Sequence, residues 1–227
     1  MGSGGRDEPA SQGLERVLSL PEVPRLRRNR DGHRCRARLG RVDRSYVTDS
    51  ADLVYSEPLV DVGYLHITKD TIRFPNGFET QRAVVWHPGA VALVVEDAEG
   101  RWLMIEQYRH PAGRVLLEIP AGTREAGEDP DTTAAREVRE ETGYAAGTLV
   151  RLGGAWMAPG FCSEYIHYYL ATDLTEDPLP QDHDEFIAPP RRLTLGEVRA
   201  AVASGEIEDS KTLIALSLLA AHRGGQG

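Results

Sequence analysis

Three glutamates, Glu137, Glu140 and Glu141, close a stretch from Gly122 to Tyr144 that reads GTREAGEDPDTTAAREVREETGY. Carboxylates are hard oxygen donors, so such a cluster suits Mg2+ or Mn2+, whereas no Cys/His spacing in the chain suits zinc. A solvated acidic face is the alternative for any Glu run. Against it, Glu137 and Glu141 stand at i and i+4, where like charges on a helix cost roughly 0.2–0.5 kcal/mol. A bound cation would reverse the sign of that interaction. Arg136 and Arg139 are expected to point away from the carboxylate centre.

The element that must gather these carboxylates carries its own start and stop. Asp129 is a good N-cap, Pro130 suits the first helical position, Asp131 favours the positive end of the helix dipole, and Gly143 supplies a left-handed stop. The spacing therefore predicts a helix over Pro130–Thr142. At roughly 100° per residue, Ala134, Ala135, Val138 and Thr142 fall on a packing side, and the three glutamates gather on another.

Gly122, Glu128, Arg136, Glu137, Glu140, Glu141 and Gly143 together match the signature of the Nudix hydrolases, with Tyr144 where an aliphatic residue is usual. Beyond the signature, the runs EQYRHPAGRVLLEIPAGTREAGEDP, MAPGFCSE, HDEFI and GEIEDSKTLIAL resemble the ADP-ribose pyrophosphatase branch over about Val60 to His222. Pro159, 15 residues beyond Tyr144, is a mark of that branch, reinforced by Gly160, Ser163 and Glu164.

The resemblance implies metal ligation by Glu137, Glu140, Glu141 and the backbone carbonyl of Ala121, with Gly122 letting that carbonyl approach the carboxylates. It implies that Arg136 holds the glutamates through charge-assisted hydrogen bonds, and leaves two roles open for Glu128, ligand or structural. Water would attack one phosphorus of ADP-ribose and release AMP and ribose 5-phosphate. The favoured general base is Glu185, in the acidic loop Gln181–Glu185, with Asp184 and Asp182 as alternatives. Arg109 would meet a substrate phosphate, or else form a salt bridge to Glu106 or Glu118. Glu118, Pro159 and Glu164 complete the expected substrate residues, with Arg82 reaching across from a partner subunit. Ala83 stands where the family often has an acidic residue, which bears on the orientation of Arg82. Tyr64, Phe74, Phe78 and Trp86 are the candidates for stacking on adenine.

The chain has 227 residues, a net charge of −9 and 41% hydrophobic residues, enough for a real core. The net charge argues against nucleic acid as a partner, although nine arginines lie between Arg25 and Arg44. That run lacks apolar periodicity and aromatic residues, and residues 1–50 are expected to form a disordered extension. No apolar run approaches the length needed to cross a bilayer, and no apolar signal core opens the chain. A soluble cytoplasmic protein is expected. Cys35 and Cys162 lie far apart and form no redox or ligand motif.

From residue 51 to 86, short alternating runs broken by Pro75-Asn76-Gly77 predict a small antiparallel sheet used in dimerisation and substrate binding. Residues 87–224 would form the main domain. Within it, AVALVVED and RWLMIEQYR read as a hairpin around Gly100, RVLLEIPAG leads into the signature, and TLVRLGGAWMAP and YIHYYLATDL read as strands. LTLGEVRAAVASGEI and DSKTLIALSLLAAHR read as helices, the second capped by Asp209 or Ser210 and covering the sheet. The fold class expected is α/β (α+β): a mixed sheet sandwiched between helices, the Nudix fold, with the N-terminal sheet appended.

That small sheet cannot bury its apolar face alone, which predicts a homodimer, as in similar enzymes. Competing functions are hydrolysis of another nucleoside diphosphate sugar such as GDP-mannose, and a non-catalytic module that senses ADP-ribose. All three glutamates are kept and only 84 residues follow Gly143, which disfavours the second.

Overall fold

The computed structural model describes residues 51–125, 127–180 and 187–225. The Arg-rich stretch and the acidic loop with Asp182, Asp184 and Glu185 lie outside them. The described residues fall into two compact units, residues 51–55 with 71–81, and residues 56–70 with those described from 82 onward. Strands β1 (Asp52–Val62), β2 (Leu65–Arg73) and β3 (Glu79–Trp86) form a three-stranded sheet with β2 in the middle. In the first unit, Gly77 takes φ 82° in the Pro75–Gly77 turn, Asn76 Oδ1 accepts from the Phe78 amide at 3.0 Å, and the rings of Phe74 and Phe78 stack.

The second unit is built on β4 (Ala90–Val95), a strand buried at every position. Its alternation explains the layers above and below it. Val91, Leu93 and Val95 pack with Ala134, Val138, Tyr169 and Ala171, while Ala90, Ala92 and Val94 pack with Trp102, Ile166, Val198, Ala215 and Leu219. The first set meets α1 (Pro130–Thr142); the second meets α2 (Leu195–Ser204) and α3 (Ser210–Gly224). A mixed sheet between helices is the expected fold class.

That sheet has the order β7-β4-β9-β8, with β7 (Ala121–Thr123), β8 (Tyr144–Trp156) and β9 (Tyr165–Glu176). β4 and β9 run parallel, Ala90 opposite Ile166; the other pairs are antiparallel. A second sheet, β10-β5-β6, holds β5 (Arg101–Arg109), β6 (Arg114–Glu118) and β10 (Arg191–Thr194). The expected hairpin of β4 with β5 is therefore corrected. The Asp97–Arg101 turn forms, closed by Gly100 N donating to Asp97 O, but only Glu96 and Trp102 bridge across it before the strands part. β5 pairs instead with β6 and with β10, a strand formed by Arg191–Thr194 that the sequence pattern did not reveal.

Helix α1 keeps its expected bounds. The Asp129 side chain accepts from the Asp131 amide, and Gly143 adopts φ 79°. Its faces differ from the helical wheel: Ala135 is exposed, Thr133 is buried in its place, and Glu137 and Glu141 are buried rather than displayed. α3 is capped by Asp209, whose carboxylate accepts from Thr212 N.

Candidate active site

The signature stretch folds back on itself because its own arginines tie it. Arg124 donates to the carbonyl oxygens of Glu128 and Pro88, and its amide donates to Gly89 O at 3.1 Å. This brings Ala121 and Gly122 down onto α1. Ala121 N donates to Glu141 Oε2 at 2.7 Å. At Gly122 there is no room for a side chain: a Cβ would lie 1.9 Å from both Cδ and Oε1 of Glu137.

Arg136 sits among the carboxylates rather than away from them, which corrects the expectation from helical position. Its Nη1 donates to Glu137 Oε1 at 2.7 Å and to Glu140 Oε2 at 2.8 Å; its Nε and Nη2 grip the two oxygens of Glu128 at 3.2 and 3.1 Å. A flexible guanidinium on a long stem curls back to the charge that its Cα position faces away from. The fork from Arg136, aided by the Glu125 amide, overcomes burial and holds the Glu128 carboxyl at about 2. Burial opposes the charge of Arg136, yet Glu128, Glu137 and Glu140 outweigh it and raise its pKa.

The donor set fits a hard divalent ion, with two buried carboxylates pressed against the Ala121–Gly122 backbone and a third one turn position away. Among the described residues no three side chains converge as a finished cage. Glu137 and Glu140 face Arg136 and Glu141 faces the Ala121 amide, so these carboxylates would have to turn from those partners to hold an ion.

A cleft of about 290 Å³ reaches Ala121 and Gly122. It brings together Arg109, Glu164 and Tyr64 from the expected set, and adds His87, Ser210 and Lys211, which sequence reasoning missed. Arg82 and Pro159 are exposed and do not line it. Of the other aromatic candidates, Trp86 donates its Nε1 to Thr68 Oγ1 at 2.9 Å, and Phe74 and Phe78 stack on each other in the other unit.

Arg109 donates to both oxygens of Glu118, which is fully buried. Burial opposes the Arg109 charge, but Glu118 more than compensates and raises its pKa. Lys211 Nζ donates to Glu118 Oε2 at 3.4 Å and to Asp209 Oδ1 at 2.8 Å. His87 accepts from Gly89 N through Nδ1 at 3.0 Å, and its Nε2 lies 3.8 Å from Glu164 Oε1. Burial lowers the His87 pKa and Glu164 counters only part of this. Because Nδ1 accepts from Gly89, the neutral form of the ring carries its proton on Nε2, on the side of Glu164. No periodicity marked His87, whereas the DSKT segment carried Lys211 in plain view and was absorbed as a helix start.

The NUDIX domain family matches residues 86–215, more than half of the chain. An ADP-ribose pyrophosphatase of Bacillus subtilis (strain 168) is 37% identical over 174 residues, covering 76% of this chain and 91% of that protein. A methanol dehydrogenase activator of Bacillus methanolicus is 43% identical over 152 residues, covering 66% and 82%. A solved structure described as an ADP compounds hydrolase has the same fold, with a TM-score of 0.68 at 22% identity over 78% of this chain and 96% of that one. With its signature glutamates gathered under Ala121 and Gly122 of β7, the chain belongs to the NUDIX domain family.

Proposed function

We propose that this protein hydrolyses the diphosphate bond of ADP-ribose to AMP and ribose 5-phosphate, with Mg2+ as cofactor and Mn2+ as a substitute. The observation that carries this reading is the approach of the Ala121–Gly122 backbone to the buried Glu137 and Glu141, at a cleft also lined by Arg109. A divalent ion held by Glu137, Glu140, Glu141 and the Ala121 carbonyl would neutralise the diphosphate and lower the pKa of a water.

The chain's own residues do the rest. Arg136 keeps the glutamates mutually oriented. Arg109, with donors left over from Glu118, takes a phosphate oxygen and fixes the diphosphate in line with the attacking water. Glu185 accepts the water's proton as the new P–O bond forms and the bridging P–O bond breaks; Asp184 and Asp182 are the neighbouring alternatives. Tyr64 offers a ring for adenine, and Glu164 accepts from substrate hydroxyls.

We further propose a cytoplasmic homodimer. Leu59, Val60 and Val62 are about half exposed on β1, an apolar surface that a second copy would cover. Arg82 would then serve the partner's cleft. The net charge of −9 fits a small-molecule substrate rather than nucleic acid.

The test is a panel of ADP-ribose, GDP-mannose and other nucleotide sugars with Mg2+, Mn2+ or EDTA, reading the nucleoside monophosphate released. ADP-ribose should give AMP fastest, and only with a divalent ion. Faster turnover of GDP-mannose, or turnover in EDTA, refutes the assignment.

A further inference from the structure

The GEIEDSKTLIAL segment opens α3, and the proposed hydrolysis uses nothing in it. Yet Ser210 and Lys211 both line the cleft. The start of this helix is stapled to the end of β6 at several points. Ile119 N donates to Thr212 Oγ1 at 3.1 Å, Thr212 Oγ1 and N both donate to Asp209 Oδ2, and Lys211 bridges Asp209 and Glu118. Arg109 completes the cluster from β5.

The four charges balance, but they are not arranged evenly. Glu118 is 0% exposed and Asp209 7%, whereas Lys211 is 13% and Arg109 34% exposed. The negative groups are sunk in the protein and the positive groups face the cleft. A lysine ammonium has three N–H donors and a guanidinium five. Glu118 and Asp209 account for two donors on Lys211, and Glu118 for two on Arg109, so both cations keep donors for a ligand. The N-terminus of the 15-residue α3 adds positive potential at the same place.

We infer that Lys211 is a second phosphate-binding residue of the cleft, paired with Arg109, and that Glu118 and Asp209 are the positioning residues that aim the two cations. The inference rests on the reading of this cleft as a diphosphate site. It divides the work between a planar fork that orients one phosphate and a compact ammonium that supplies charge to the oxygens beside it. A purely structural ion pair would place no such demand on which end of the cluster faces the cleft.

The chain has only two lysines, Lys69 and Lys211, which allows a test on the unmodified protein. With EDTA present, an amine-acylating reagent is applied with and without inorganic pyrophosphate, ADP or adenosine, and labelling is read by mass spectrometry. Pyrophosphate and ADP at saturation should slow acylation of Lys211, leaving Lys69 unchanged, and adenosine should protect far less. Equal labelling of Lys211 with and without pyrophosphate overturns the inference. In a second arm, Lys211→Met should weaken ADP binding by roughly 10- to 100-fold and leave adenosine binding within about twofold, with Lys211→Arg recovering most of the loss. Equal loss for ADP and adenosine would mean a structural role and also overturns it. Protection of Lys211 by ADP in a protein that releases no AMP from ADP-ribose would sink the proposed function and uphold this inference; turnover of ADP-ribose with Lys211 unprotected would do the reverse.

Discussion

Gly122→Ala isolates the step on which the metal assignment depends. The new Cβ would sit 1.9 Å from Glu137 Cδ and Oε1 and 2.2 Å from Oε2. An ordinary contact begins near 3.4 Å, so the carboxylate must retreat by about 1.5 Å. Gly122 is not in the left-handed region, so alanine meets no backbone strain, and the obstructing atoms are the far end of a flexible side chain. The fold should therefore survive. Losing the 2.7 Å bond between Arg136 and Glu137 costs about 1.5–3 kcal/mol, and reduced freedom of the unfolded chain returns about 0.4–1 kcal/mol. The net loss of about 0.5–2.6 kcal/mol corresponds to roughly 1–10 °C in Tm for a protein of this size. Catalysis should suffer far more, because a displacement of about 1 Å in a catalytic group can cost about a hundredfold. The assay compares kcat for ADP-ribose across a Mg2+ titration with Tm by circular dichroism. Wild-type kcat and metal dependence in Gly122→Ala would refute the role given to Glu137, and a global failure to fold would refute the claim that only a side chain must yield.

Other outcomes follow from the same geometry. Glu141→Gln keeps an oxygen to accept from the Ala121 amide but removes the charge, so Mg2+-dependent turnover should vanish with the fold intact; retained turnover would exclude Glu141 as a ligand. Burial, then Arg151, lowers the His167 pKa to about 4 from 6.5, and Arg151 Nη2 donates to its Nδ1 at 2.6 Å. The unfolded chain takes up that proton first, so His167 makes stability fall as pH drops from about 6.5 to about 4. Denaturant midpoints of His167→Gln should fall less than wild type over that window, and identical slopes would remove His167 from the account. Leu93→Ala, in the fully buried strand β4, should cost about 2–5 kcal/mol while leaving KM for ADP-ribose unchanged at temperatures where the variant is folded. Light scattering should give twice the chain mass; a monomer at micromolar concentration would contradict the proposed homodimer.

Legibility followed the range of the interactions. The ends of α1 were readable because Asp129, Pro130 and Gly143 act within a few residues of themselves. The cap of α3 at Asp209 was readable for the same reason. The hairpin of β4 with β5 was misread, although its turn is real. After Glu96 and Trp102 bridge, β4 gains more from pairing with β9, some 76 residues away, and that preference leaves no mark near Gly100. β10 escaped notice because four residues, RRLT, become a strand only when β5 offers an edge. On α1, the helical wheel correctly grouped the glutamates but could not say that β7 would cover two of them.

The sequence by itself determined which carboxylates stand together, the helix that carries them and the family, since these rest on residue types and spacings within 23 consecutive positions. Tertiary structure alone decided how tightly Gly122 presses on Glu137, that Arg136 curls back against the direction of its helical position to reach the acids its family resemblance assigns it, and that Lys211 meets Glu118 across 93 residues of chain. Such contacts are set by sheet order and by which face each layer buries. Those are global minima of packing, and no local pattern encodes them.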